Sequence, residues 1–408
     1  MAGTRGGGTG TNQEAVRRHN LGTLLRHVHR TGETSRAELT SLMQLNRSTI
    51  AGLVGELETL GLTEHATPAA GRRSAGRPSA GVRIAADGPY VVAVDLGVDR
   101  AAAARVGLGG RIWERAEATI PTETEAWQVG ATVAALVREV LSVAPHDTAL
   151  LGIGISVPGL VRRGDGLVRQ APNLGWHDVS FGSIVLAALS LDVSVSVAND
   201  SDLAALAEHR RGAAVGVDDL VYISGNVGVG AGVITGGVRL EGAGGYAGEV
   251  GHLCFDPHGS ACHCGSHGCW ETVVGAHAIA KAIGTSPEDA ARLDEVLARY
   301  GTPPRELRPV AENIGRGLAA VVNAYNPSVV ILGGYFWPLF RMLRNEVSGG
   351  LAERVLAPAL ESVQLTIPGL GRDSVLLGAA EMAFEPFFDD PVASLAAAVT
   401  DARERLAG

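Results

Sequence analysis

The sequence predicts an α/β protein in two parts: a small N-terminal winged helix-turn-helix, followed by a large body of alternating strands and helices. Three observations lead there. Residues 15–86 hold a capping box, a short turn, an apolar helical stripe and a basic hairpin in the order a winged helix needs. From Pro89 onward, apolar runs of strand length alternate with helical patterns. A glycine-rich segment from Gly244 to Glu271, GGYAGEVGHLCFDPHGSACHCGSHGCWE, concentrates carboxylates, a histidine and closely spaced cysteines.

Residues 1–14, rich in glycine and threonine, read as a disordered leader. Leu21, Leu24, Leu25 and Val28 then recur at helical spacing, and that helix ends near Thr31-Gly32. Ser35 and Glu38 form a capping box, so a second helix starts at about Arg36 and runs to roughly Met43. After Gln44-Leu45, Asn46 caps a third helix, whose stripe is Ile50, Leu53, Val54 and Leu57 and whose stop is Gly61. Two strands, 62–67 and 82–84, flank the arginine-rich GRRSAGRP and make a wing. The third helix would enter the major groove. Arg36, Arg47, Ser48 and Thr49 are the candidate DNA contacts of the helices, and Arg72, Arg73 and Arg77 those of the wing. Charge agrees in sign: residues 1–86 hold 11 arginines against 6 glutamates, a formal +5, whereas the remainder carries −14. A basic end on an acidic body suits a nucleic-acid module attached to something that binds no polyanion.

In the body, the strand runs are 91–97, 151–159, 193–200, 219–225 and 328–334, and the helical stretches 126–142, 202–212, 311–325 and 374–384; 213–218 and 235–248 read as turns. Strand ends carrying Asp95, Gly159, Asp200, Gly225 and Gly334 are where such layers place ligands. Asn199-Asp200 fits a helix N-cap and also a catalytic carboxylate, and the residues alone leave both open. His252, Cys262, Cys264 and Cys269 have the types and spacing of a structural, tetrahedral zinc site. Cys254 is a spare thiol able to replace one of them. Two disulfides are the competing reading, weakened because no signal peptide is evident and 408 residues can build an ordinary core. No run of ~18 apolar residues occurs, so a cytoplasmic protein without membrane contact is expected. Residues 387–408 read as an acidic helical tail.

GEVGH followed by C-x-C-G-x-x-G-C-x-E resembles the signature of the ROK family of repressors and sugar kinases. NDSDLAALAE resembles that family's N-D-x-N-x-x-A-x-x-E, and SRAELTSLMQLNRSTIAGLVGELETLGL, with its GRP wing, is similar to the winged helix of ROK repressors. The resemblance implies that residues 87–386 form a two-lobed, actin-like and ribonuclease-H-like sugar-kinase body. It further implies that Asn199, Asp200, Glu249, His252 and Glu271 bind a sugar, and that Asp200 is the general base where a member is a kinase. The phosphate side departs from the kinases. Asp99 stands where Asp-x-Gly-x-Thr would place a hydroxyl, and Asn226 breaks the second Gly-Thr-Gly loop; Gly333-Gly334 matches the adenosine loop. The expected function is therefore a sugar-responsive regulator of carbohydrate genes, in the first reading a repressor. It would act as a homodimer or tetramer on a pseudo-palindromic operator, with a sugar or sugar phosphate as effector. The alternative is an ATP-dependent sugar kinase, using MgATP, that keeps a DNA-binding domain. A third reading has a phosphotransferase protein as the partner.

Overall fold

The N-terminal stripe builds a helix longer than its spacing required. In the computed structural model, which describes residues 13–66, 81–121, 124–145 and 148–398, α1 spans Gln13–Thr31. The last two residues assigned to the leader therefore already belong to a helix. β1 (Glu33–Ser35) leads into α2 (Arg36–Met43), whose capping box forms: Ser35 Oγ accepts from the Glu38 amide at 3.1 Å, and Glu38 accepts from the Ser35 amide at 2.8 Å. α3 (Arg47–Thr59) starts at Asn46, which accepts from the Thr49 amide. β2 (Thr63–Ala66) and β3 (Gly81–Ile84) follow, with β3 between β1 and β2 and antiparallel to both. The wing arginines Arg72, Arg73 and Arg77 lie outside the described residues.

The first lobe contains β4 (Tyr90–Leu96), β5 (Arg100–Gly107), β6 (Ile112–Thr119), α4 (Ala126–Ser142) and β7 (Leu150–Val157). A three-stranded flap of β8 (Leu160–Val161), β9 (Val168–Ala171) and β10 (Trp176–Val179) comes next, then α5 (Phe181–Leu189), β11 (Val195–Asn199) and α6 (Asp200–Arg211). The second lobe has β12 (Leu220–Gly225), β13 (Val229–Thr235) and β14 (Val238–Arg239), then α7 (Glu271–Val274), α8 (Ala276–Ile283), α9 (Leu293–Ala298) and α10 (Leu307–Tyr325). It closes with β15 (Val329–Gly334), α11 (Phe336–Met342), α12 (Arg344–Ala352), α13 (Ala357–Ser362) and β16 (Gln364–Thr366); the chain then returns through α14 (Ser374–Asp389), which packs on β4 and β7 of the first lobe. β14 falls inside the stretch 235–248 that had read only as a turn.

The two lobes repeat one plan. Their sheets run β11-β7-β4-β5-β6 and β14-β13-β12-β15-β16, so each central strand pairs antiparallel with its successor and parallel with a strand reached through a helical crossover. This is the duplicated, ribonuclease-H-like arrangement expected of a two-lobed body. Both central strands end at the cleft between the lobes, where ligands bind in such sheets.

α14 does more than the sequence implied. The helical pattern stopped at Phe384 and a tail was assigned from 387, yet α14 continues through Pro386 to Asp389. Phe384, Phe387 and Phe388 are buried in a cluster shared with Leu21, Leu24, Leu25 and Val28 of α1 and with Val91 and Val106 of the first lobe. Gly22 makes this approach possible, since a Cβ there would sit 1.9 Å from the Phe388 carbonyl oxygen. Residues 391–398 form a further helical stretch. Among the described residues no helix is long and apolar enough to cross a membrane.

Candidate functional site

The junction of β11 and α6 sets the centre of the cleft. Asn199 is the N-cap of α6: its Oδ1 accepts from the amides of Ser201 at 2.8 Å and Asp202 at 3.2 Å, and its Nδ2 donates to the Gly159 carbonyl at 3.0 Å. The cap reading is thus realised, and one amide hydrogen is left for a ligand. Asp200 is buried; its Oδ1 accepts from the Ser201 amide at 2.8 Å, and its Oδ2 accepts from Asn226 Nδ2 at 3.0 Å. Burial, reinforced by the charge of Asp95, pushes the Asp200 carboxyl up to about 6 against the pull of those hydrogen bonds.

Asn199, Asp200, Glu249, His252 and Glu271 line one cavity, together with His263. Glu271 opens α7 and points back across the sheet. Its Oε2 accepts from the Val229 amide at 2.7 Å, and its Oε1 faces His263 Nδ1 at 3.1 Å. Gly228 permits that approach, because a Cβ there would lie 2.6 Å from Glu271 Oε2. Glu249 precedes the short helical turn Val250–His252. Its carboxyl is pushed up to about 7 by desolvation and then by the charges of Asp200 and Glu271. The cavity therefore offers carboxylates, an amide and imidazoles converging on one space, the donor and acceptor mixture that hydroxyl groups require.

His252, Cys262, Cys264 and Cys269 each bring one ligand atom to within 4.8 Å of the others. Cys264 Sγ lies 3.6 Å from Cys269 Sγ, and Cys262 Sγ lies 3.7 Å from His252 Nδ1. Tetrahedral coordination with ordinary zinc bond lengths gives edges of about 3.5–3.8 Å, so the residues fit a metal ion. All four cysteines are free thiols, which removes the disulfide reading. Cys254 is exposed, takes no place in the group and instead sits opposite Cys269 in a backbone bridge. His252 turns Nδ1 to the cluster, leaving its other ring nitrogen for the cavity.

The part of the cleft lined by Asp95 and Asp99 is built differently. Asp95 is held by Ser156 Oγ at 2.9 Å, and burial raises its pKa. Asp99 meets Arg292 of the second lobe at 3.4 Å, and Arg372 meets Asp294 at 3.0 Å. Trp337, just after the double glycine, lines the same part of the cleft. The sequence marked Asp99 and Asn226 as departures but gave no sign of their partners. Asn226 holds Asp200, and Arg292 holds Asp99 across 193 residues of chain. His263 was missed altogether, although its place between two cysteine ligands was a local clue.

The proposed DNA contacts are unequal. Arg47 and Ser48 are exposed at the start of α3, and the Ser48 and Thr49 hydroxyls donate to Asn46 Oδ1 at 2.7 and 2.9 Å. Arg36 reaches Glu58 at 3.4 Å and His65 at 3.5 Å, tying α2 to α3 and β2.

Two repeated lobes around such a cleft define a protein of the sugar-kinase-like class. The ROK family profile matches residues 91–385, and the chain belongs to the ROK family. It is 28% identical over 386 residues to a xylose repressor of Bacillus subtilis, an alignment covering 92% of this chain and 98% of that one. It is 28% identical over 323 residues to a glucokinase of Streptomyces coelicolor, covering 74% and 98%. Among solved structures, a ROK family transcriptional regulator, homologue of the E. coli MLC protein, superposes with a TM-score of 0.74 at 26% identity, covering 94% of this chain and 99% of that one. A ROK family glucokinase from Streptomyces griseus in complex with glucose and AMPPNP gives 0.60 at 27% identity, covering 72% and 98%.

Proposed function

We propose that the protein is a sugar-responsive transcriptional repressor of carbohydrate genes. One contrast carries this reading. The xylose repressor and the regulator structure align with 92% and 94% of the chain, so they include the N-terminal module, while the glucokinases align with 74% and 72%. A pentose or hexose such as xylose would lie between Asn199, Asp200, Glu249, His252 and Glu271. Zinc bound by His252, Cys262, Cys264 and Cys269 would tie the segment bearing Glu249 and Glu271 into one rigid unit. α3 would enter the major groove of operator DNA with Arg47, Ser48 and Thr49 foremost, and Arg72, Arg73 and Arg77 of the wing would reach its backbone or minor groove. Arg36, engaged with Glu58 and His65, would support α3.

Repression would be carried out by a dimer. Two modules on half-sites of a pseudo-palindrome must be spaced by about one helical turn, ~34–36 Å, or a multiple, so a modest movement of the lobes releases the DNA. A sugar achieves this only through unequal affinity for the two states, typically ~1–3 kcal/mol of coupling. The test is a salt titration of binding to the chain's own promoter region and to random duplex, with and without xylose. Preference for the promoter that weakens with the sugar supports the reading; equal binding to both duplexes removes it.

Phosphoryl transfer is the reading the site favours less. Asp200 has the raised pKa of a base, but Asn226 occupies it, and the Asp99–Arg292 pair lies where phosphate would pass.

A further inference from the structure

The residues that would hold the sugar and those that hold the N-terminal module are opposite ends of the same helix. α6 begins at Asp200, beside its cap Asn199 in the cavity, and ends at Arg210-Arg211. Twelve residues at 1.5 Å each make a rod of roughly 18 Å. At its far end Arg211 Nη1 donates to the carbonyls of His29 at 3.0 Å and Gly109 at 2.9 Å. Its Nε pairs with Glu381 of α14, and Arg210 meets the other oxygen of Glu381 at 3.1 Å.

His29, in the last turn of α1, completes the joint. It is fully buried; its Nδ1 accepts from the Gly109 amide at 3.0 Å, so Nε2 carries the proton and donates to Glu381 Oε1 at 3.0 Å. Its ring stands edge-on to Phe384 and Phe388. Glu381, 2% exposed, thus collects an imidazole and two guanidiniums from α1 and α6 at one point.

α14 runs beside α6 and repeats its course. Ser374 and Val375, at its start, line the cleft, while Phe387 and Phe388, at its end, lie in the core shared with α1. The two helices touch through backbone: a Cβ on Gly378 would stand 1.9 Å from the Leu203 carbonyl oxygen. Glu208 of α6, wholly buried, locks them together by accepting from Ser374 Oγ at 2.7 Å and from the amides of Gly369 and Leu370 at 2.9 and 3.0 Å. Packed elements of this kind shift as units instead of bending, so displacement at one end reaches the other.

We infer that α6 and α14 form a rigid relay from the sugar cavity to α1, and that His29, Glu381 and Arg211 are the positioning residues that make the joint stiff. The inference rests on the sugar reading of the cavity. It assigns the signal to a path inside one protomer, through α1, before any change in the spacing of two modules.

Amide hydrogen exchange on the full-length, metal-replete protein, with and without saturating xylose or glucose, tests it. The expected result is protection at 226–230 and 249–253, accompanied by about a tenfold change in exchange at 24–32, in the range usual for coupled sites. In Glu381→Gln, which keeps the side chain's volume but replaces one accepting oxygen with an NH2 that cannot accept from His29, Arg210 or Arg211, the cavity stays protected and the change at 24–32 falls to less than about twofold. The wild-type protein supplies a second measurement should that variant fold poorly: segments 203–211 and 376–388 must respond with α1. A cavity protected by neither sugar overturns the sugar reading and the relay with it. A protected cavity with α1 unchanged, with α1 responding while α6 and α14 do not, or with an undiminished response in Glu381→Gln overturns the relay alone.

Discussion

The two halves of the cleft were built from the same duplicated lobes and have diverged in how their charges are used. On one side, Glu249 lines the cavity, Glu271 accepts from the Val229 amide and faces His263, and Asn199 keeps one hydrogen free. On the other, Asp99 is paired with Arg292, Asp294 with Arg372, and Asn226 is turned onto Asp200. A carboxylate oxygen with one partner keeps a lone pair for another donor, so Glu271 remains able to accept beside its amide and imidazole partners, whereas the charge of Asp99 is matched by a guanidinium. The comparison teaches that two halves of one cleft can hold their carboxylates differently, one with backbone and histidine partners, the other with arginines.

The severest test of the proposed sugar side concerns the metal that His252, Cys262, Cys264 and Cys269 would hold. Cys269→Ser, or chelation of the wild-type protein, should release bound zinc and lower sugar affinity by about 100-fold or more, because metal binding is folding energy for such a loop. Elemental analysis beside calorimetric titration checks both parts, and full sugar affinity in metal-free protein would refute the role given to the loop. Next comes a single carboxylate. Glu271→Gln should cost about 2 kcal/mol, roughly 30-fold in affinity, the loss of one charged hydrogen bond.

A smaller effect follows from protonation. The Asp200 carboxyl is raised from 3.8 to about 6 in the folded protein, so it is charged above that pH and neutral below it. If a sugar hydroxyl donates to the charged form, affinity is full near pH 7.5 and falls as pH drops through about 6, by about tenfold over the next unit or so. Asp200→Asn should remove that step and leave the one near 7 that belongs to Glu249, whose carboxyl lines the same cavity; a wild-type affinity with no step near 6 would place the sugar away from Asp200. The smallest effect belongs to the side with arginine partners. Asp99→Ser should leave sugar affinity within about twofold, since exposed ion pairs contribute little. Release of ADP from MgATP and sugar should stay at background in the wild-type protein, and turnover that vanishes in Asp200→Ala would instead make it an enzyme.

Much of this could be read from sequence where information is local. α4 was read at its observed limits, 126–142, and the capping box at Ser35 and Glu38 formed as expected. His252, Cys262, Cys264 and Cys269 could be grouped from the sequence because their spacing is short, and their ligand atoms do lie together. What escaped depends on contacts between distant residues or on weak patterns. β5 reads RAAAARVG, an alanine run with no strand-like alternation. α14 extends past its expected end at Phe384 and through Pro386, although proline removes a helical hydrogen bond; burial of Phe387 and Phe388 against α1 carries the helix past it. No spacing rule could have joined His29 to Glu381 or Asn226 to Asp200.

The core shared by α1, the end of α14 and the first lobe has a practical corollary for autonomy. The expected boundary at residues 86 and 87 falls inside one hydrophobic cluster, with Leu24, Leu57 and Val82 on one side and Val91, Phe384 and Phe388 on the other. A body expressed from residue 87 would present those aromatic rings to water, and an excised module would lose the wall against which Leu21, Leu25 and Val28 pack. The module is not an exchangeable cassette, and grafting it onto another sensor would require carrying the last two turns of α14 along with it.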